Sequence, residues 1–339
     1  MKPPMNLRKR LALGFAVCIA GAFGTAHAQT KPIVWNLPHV TGPSYFHTVN
    51  MTAFGAKVKE MSQGRMEIRV HAASSLYPGP EMLPALLDGR VEIAPVLSAY
   101  LTDVLLELGV LELPFLTQTL DEHRRAAEAL RGYTTDMMAK RGLKLLTVHS
   151  WPTQQLFANQ AIRTLADWKG KKFRVYGSES ADLAKALGAA PVSIPFGEVY
   201  TALQRGVVDG AMTSATNAEP MKFFEVSKFM NFWNLSGGST EWLATNVKAW
   251  NALPKDLQDV VQGALKAINF EDKEWADAKA LDDRARQRVV ELGMTIVDPS
   301  PEEIAKARQA SRVAWDIWLK RTGANGKNAM DIATKSLGR

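Results

Sequence analysis

Hydrophobic positions along the chain follow two periods in turn, and the alternation predicts an α/β protein. Met66, Ile68 and Val70 alternate with Glu67 and Arg69, the period of two that marks a half-buried strand. Short apolar runs predict further strands over 32–37, 91–96, 143–148, 154–159 and 294–297. Amphipathic runs between them predict helices over 44–62, stopped by Gln63-Gly64, over 80–87, ended by Gly89, and over 121–141. The most informative stretch is 165–209. A turn cluster, Lys169-Gly170-Lys171, feeds a short strand over 172–176 with Phe173 and Val175 on one face and Arg174 on the other. A helix closed by Gly188, a β-rich run over 191–194 and a second helix closed by Gly206 follow, and 211–220 reads as a loop. In strand–helix–strand folds ligands sit at the carboxyl ends of the strands, which is where Arg174 falls. On alternation alone, Arg174 reads as a solvated side chain.

Two further patterns concern organisation. ALLDGRVEIA from Ala85 echoes ALQRGVVDGA from Ala202, each a helix end, a glycine stop and a strand, which suggests two lobes of like construction. Pro254 opens the longest helical pattern, 255–292, interrupted only by Gly263 before Gly293 stops it. At about 1.5 Å per residue it would reach nearly 57 Å, enough to span both lobes.

Charge changes the picture once the N-terminus is considered. Lys2, Arg8, Lys9 and Arg10 precede an apolar run over 11–24 and the small-x-small triplet Ala26-His27-Ala28, a secretory signal with cleavage expected after Ala28. The run is shorter than the roughly 20 residues a membrane span needs, so no stable membrane insertion is expected. The chain carries 41 basic and 34 acidic residues; without the four in the signal, 37 against 34 leaves only +3. Nucleic-acid binding loses its support at that balance. The single cysteine, Cys18, lies in the signal, so the exported chain would hold no disulfide and rely on its core. The expected division is signal 1–28, a first lobe of 29–150 with about 241–280, and a second lobe of 151–240 with about 281–339.

Catalytic motifs are missing. The sequence has no G-x-S-x-G elbow, phosphate loop, G-x-G-x-x-G or H-E-x-x-H, and no cysteine beyond the signal for thiol chemistry. His39, His47, His71, His123 and His149 show no metal-ligand spacing, and His149 reads as a hydrogen-bonded interface residue. A binder fits these absences better than an enzyme.

LADWKGKKFRV, followed by LGAAPVSIPFGEVYTALQRGVVDG, resembles the solute-binding subunits of tripartite ATP-independent periplasmic (TRAP) transporters, the DctP-like family. KVKEMSQGRMEI, LELPFL, FFEVSKF and WNALPKDLQDVV extend the resemblance over essentially the whole exported chain. It implies a two-lobed periplasmic-binding-protein-like fold with a hinge and a long lobe-spanning helix. It also implies a small organic acid as ligand, and one small and one large membrane subunit as partners. Arg174 matches the family's carboxylate-binding arginine, a role suited to a planar guanidinium that stays charged.

Departures from the family pattern narrow the ligand. Gln154 stands twenty residues before Arg174, where many relatives carry a second arginine, and a neutral amide favours a monocarboxylate. Thr213 takes the place of a ligand-binding asparagine, and Met212 the place of an acid used by a metal-dependent branch, so neither metal nor other cofactor is expected. Asn36 and His39 after the first strand, and Ser98 and Tyr100 after the third, are further candidates. Phe157, Phe196 and Trp233 could enclose an apolar part of the ligand. The expected protein is a periplasmic receptor for a small organic acid, monomeric or dimeric. The alternatives are a periplasmic enzyme acting on a carboxylate, or the binding component of another importer or a sensor.

Overall fold

In the computed structural model, which describes residues 31–100 and 104–339, the strands gather in three sheets. The expected signal, 1–28, lies outside the described residues. Strand β1 (Ile33–Pro38) pairs in parallel with β2 (Met66–His71). Strands β3 (Ile93–Leu97) and β4 (Leu143–Trp151) form the edges of a second sheet whose centre is supplied from much later in the chain. The third sheet contains β5 (Gln154–Ala158), β6 (Lys172–Val175), β7 (Ala190–Ser193), β8 (Gly210–Ser214) and β9 (Phe229–Ser236). Strand β10 (Ser239–Asn246) is the late centre of the second sheet, and β11 (Thr295–Val297) completes the third, in the order β11-β9-β5-β8-β6-β7. Pro32–Arg339 form one compact unit, a two-lobed α/β fold.

The chain passes between the second and third sheets twice, at Pro152-Thr153 between β4 and β5 and at Gly237-Gly238 between β9 and β10. The crossings lie side by side, because Ser239 pairs with Trp151 and Gln154 with Ser236.

The ten-residue echo corresponds to real structure. The helix Gly79–Leu87 ends at Gly89 (φ 73°) before β3, and the helix Val199–Gln204 ends at Gly206 (φ 66°) before β8. Both turns need the left-handed backbone that glycine adopts without a Cβ clash.

Several expectations require correction. The segment expected as a loop over 211–220 begins as strand β8, interior to the six-stranded sheet and buried at all five positions. Its small and hydroxylated residues hide a strand whose two faces are both covered. The helix expected over 121–141 is two helices, Leu120–Ala129 and Arg131–Lys140, meeting at Leu130. Strand β4 continues three residues past Val148, so His149 and Trp151 lie within it.

The long helical run is present as Lys255–Ala267 and Phe270–Glu291, divided at Asn269, whose backbone is left-handed (φ 49°). The second helix touches both lobes. Trp275 donates its indole N–H to the Val148 carbonyl at 3.0 Å, while Ala285 and Val289 pack with Met230 and Phe223 beside the third sheet. The C-terminal helix Arg312–Ser336 puts Trp318, Ala329 and Ala333 into the core that holds Val148 and Trp242. Its last turns therefore pack with the core beside the second sheet.

Candidate functional site

A narrow cavity of about 30 Å³ lies beside the two crossings. Arg174, Gln154, Thr213, Tyr100 and Phe196, all expected from the sequence, line it. Trp151, Tyr176, Ser239 and Glu241 line it too, and sequence reasoning did not select them as ligand-facing.

Arg174 is 1% exposed, so the solvated reading from strand alternation is wrong. Strand β6 is flanked by β7 and β8, pairing Arg174 with Val192 on one side and Ala211 on the other. The guanidinium is held by both neighbouring segments: Nε donates to the Ile194 carbonyl, just past β7, and Nη1 to the Met212 carbonyl within β8, both at 3.0 Å. Nη2 is buried and makes no hydrogen bond of good geometry among the described residues, with the Tyr100 hydroxyl as a polar neighbour of the guanidinium. Burial lowers the guanidinium's pKa, opposed by its neighbours Tyr100 and Tyr176, and no carboxylate among the described residues pairs with it. A buried cation held only by neutral groups is costly unless an anion joins it.

The other lining residues are set by short contacts. Gln154 Nε2 donates to the Pro152 carbonyl at 2.7 Å, which fixes its amide. Thr213 Oγ1 accepts from Asn217 Nδ2 at 2.8 Å. Phe196 meets Trp151 edge-on at 5.3 Å between ring centroids, and Trp151 stacks on Tyr45 at 5.5 Å. The Trp151 indole N–H is a second buried donor with no partner among the described residues.

Five sequence candidates lie outside the lining. Asn36 Oδ1 accepts from His71 Nε2 at 3.0 Å, joining β1 to β2. Ser98 Oγ accepts from the Trp242 indole at 2.6 Å. Phe157 packs on Phe223 and Trp233 on Trp168, each fully buried in the second lobe's core. His39 sits behind the cavity, with Nε2 3.7 Å from Glu241 Oε2.

Behind that cavity wall, residues distant in sequence form a buried ionic cluster. His149 Nε2 donates to Glu241 Oε2 at 3.2 Å, and His47 Nδ1 lies 2.5 Å from Glu274 Oε2. Burial alone would raise Glu241, but His149 and His39 hold its carboxyl well below the usual range. Burial would lower His149, yet Glu274 and Glu241 outweigh it and raise its pKa; for His47 burial prevails and lowers it. Donor atoms of His47, His149 and Glu274 fall within 4.8 Å of one another, a grouping the separated sequence positions concealed.

A two-lobed α/β fold with a guanidinium buried beside the crossings defines a solute-binding protein. Residues 37–321 match the model for bacterial extracellular solute-binding protein, family 7 (DctP), and the chain belongs to that family. It is 30% identical over 325 residues to the C4-dicarboxylate-binding periplasmic protein DctP of Vibrio cholerae, covering 94% of this chain and 96% of that one. DctP6 of Bordetella pertussis, an extracytoplasmic solute receptor solved with pyroglutamic acid, superposes with a TM-score of 0.83 at 27% identity, over 89% of this chain and 99% of its own. A TRAP periplasmic solute-binding protein of Shewanella oneidensis, solved with succinate, gives 0.83 at 25% identity over 90% and 99%. These relatives are receptors rather than enzymes, and among the described residues no helix is long and apolar enough to cross a membrane.

Proposed function

We propose that this TRAP-type receptor captures a small organic monocarboxylate through Arg174 and passes it to a small and a large membrane subunit. The buried, unpartnered Nη2 of Arg174 carries the reading. A carboxylate there would complete the guanidinium's hydrogen bonding, each charged bond contributing roughly 1.5–3 kcal/mol. The Trp151 indole offers a second donor in the same lining. Gln154 supports a single carboxylate, because this lining residue brings no second positive charge. The relatives divide on the point: the Vibrio cholerae protein's name specifies C4-dicarboxylates, while DctP6 was solved with the monocarboxylate pyroglutamate.

A cavity of about 30 Å³ is too small for such an acid, so loading requires the lobes to part and close again around it. The adjacent crossings at Pro152-Thr153 and Gly237-Gly238 are the natural hinge. Export by a signal cleaved after Ala28 would deliver the receptor to the periplasm.

A thermal-shift panel of mono- and dicarboxylates, followed by calorimetry, tests the reading. Stabilisation by monocarboxylates is expected. A melting-temperature rise confined to dicarboxylates would contradict the single-carboxylate assignment, and no response to any acid would contradict the receptor function.

A further inference from the structure

Among the described residues, the cavity lining contains one carboxylate, Glu241, on the central strand β10. The register sets its backbone between Leu97 of β3 and His149 of β4. Glu241 is 3% exposed. Its Oε2 is engaged by His149 at 3.2 Å and faces His39 at 3.7 Å. The recorded contacts all fall on Oε2, which leaves Oε1 without a hydrogen-bond partner among the described residues. The lining thus offers unsatisfied donors at Arg174 and Trp151 and an unsatisfied anionic acceptor at Glu241.

We infer that Glu241 reads the solute's second polar group, so that the acid held at Arg174 also carries an N–H or O–H donor, such as a lactam or hydroxyl, for the Glu241 carboxylate. This rests on the carboxylate-receptor reading and narrows it. A donor satisfies Oε1 with a charge-assisted hydrogen bond. A second carboxylate would face a like charge in a buried site, and a purely apolar acid would leave Oε1 unpaired when the cavity closes. Gln154 is thus one of two features set against a dianion, and Glu241 is the active one.

Calorimetry on the unmodified protein with two matched pairs tests the inference. L-pyroglutamate is compared with cyclopentanecarboxylate, from which it differs by a lactam N–H and its carbonyl, and L-lactate with propionate, from which it differs by one hydroxyl. The donor-bearing acid should bind at least about tenfold more tightly in one pair or both, the value of one charged hydrogen bond. In Glu241→Gln, which removes the charge while keeping the shape, succinate should gain at least about tenfold relative to pyroglutamate. The paired measurements decide the matter even if that variant folds poorly. If both pairs bind alike, and that binding disappears in Arg174→Ala, the Glu241 inference is overturned and the receptor reading stands. If no acid binds, both fall.

Discussion

Arg174 Nη1 donates to the backbone carbonyl of Met212 at 3.0 Å, tying the guanidinium to the middle of the neighbouring strand β8. With Nε held by Ile194, the side chain is fixed before any ligand arrives, and Nη2 is the donor left over. Preorganisation of this kind lowers the ordering cost of binding. Arg174→Ala should therefore reduce carboxylate affinity by at least about tenfold to a hundredfold while leaving the fold intact. Arg174→Lys should recover little, since an ammonium cannot reproduce the fork that holds two carbonyls and presents a third donor. Unchanged affinity by calorimetry in Arg174→Ala would remove Arg174 from the site, and unchanged affinity in Arg174→Lys would show that the charge alone suffices there.

The neighbourhood of Arg174 was readable because its determinants are local: a turn, a four-residue strand and glycine stops within one stretch. Its burial was not. The covering carbonyls belong to Ile194 and Met212, twenty and 38 residues away, and only the sheet order brings them together. Strand β10 escaped notice for a related reason. All eight of its positions are buried, so no polar alternation marks it, and Glu241 within it reads as an ordinary charged residue. His47, His149, Glu241 and Glu274 come from four separate elements, and sequence spacing carries no trace of their meeting.

Gln154 gives a prediction by addition. Its amide is held by the Pro152 carbonyl at 2.7 Å, at the edge of the cavity. Gln154→Arg would bring a second cation to the lining and a second anchor for anions. Succinate affinity should rise relative to pyroglutamate by about tenfold, the worth of one charged contact. The unliganded variant should melt lower, because two cations would then be buried close together. Parallel titrations of both acids check this, and an unaltered preference would show that Gln154 has no part in selecting charge.

Gly79 tests how tightly the cavity wall is packed. A Cβ built on it would lie 2.4 Å from Cε2 of Tyr100, far inside contact distance. Both residues line the cavity. Gly79→Ala must therefore displace the Tyr100 ring, at a cost of about 1–3 kcal/mol typical of overpacking. A lowered melting temperature together with weakened acid binding is expected. Loss of neither would mean that the ring is free to move and does not shape the site.

His123 supplies a pH dependence independent of ligand. Its ring nitrogens contact only hydroxyls, Nδ1 with Thr117 Oγ1 at 3.0 Å and Nε2 with Thr240 Oγ1 at 2.8 Å. Burial pushes its pKa down from 6.5 to about 3. An unfolded chain takes up this proton near 6.5 and the folded chain only near 3, so the stabilisation is complete above 6.5 and is lost as pH falls towards 3. The slope is about 1.4 kcal/mol per pH unit, or about 2 kcal/mol between pH 6.5 and 5. Glu112 works the other way over the same range: burial pushes its carboxyl up from 4.5 to about 8, so its contribution declines as pH rises. The raw pH curve mixes the two, and the comparison with His123→Gln separates them. Because glutamine takes up no proton, the variant's urea midpoint should fall less on going from pH 7 to pH 5 than that of the unmodified protein. Identical pH dependence in the two would show that His123 is not held neutral by its burial.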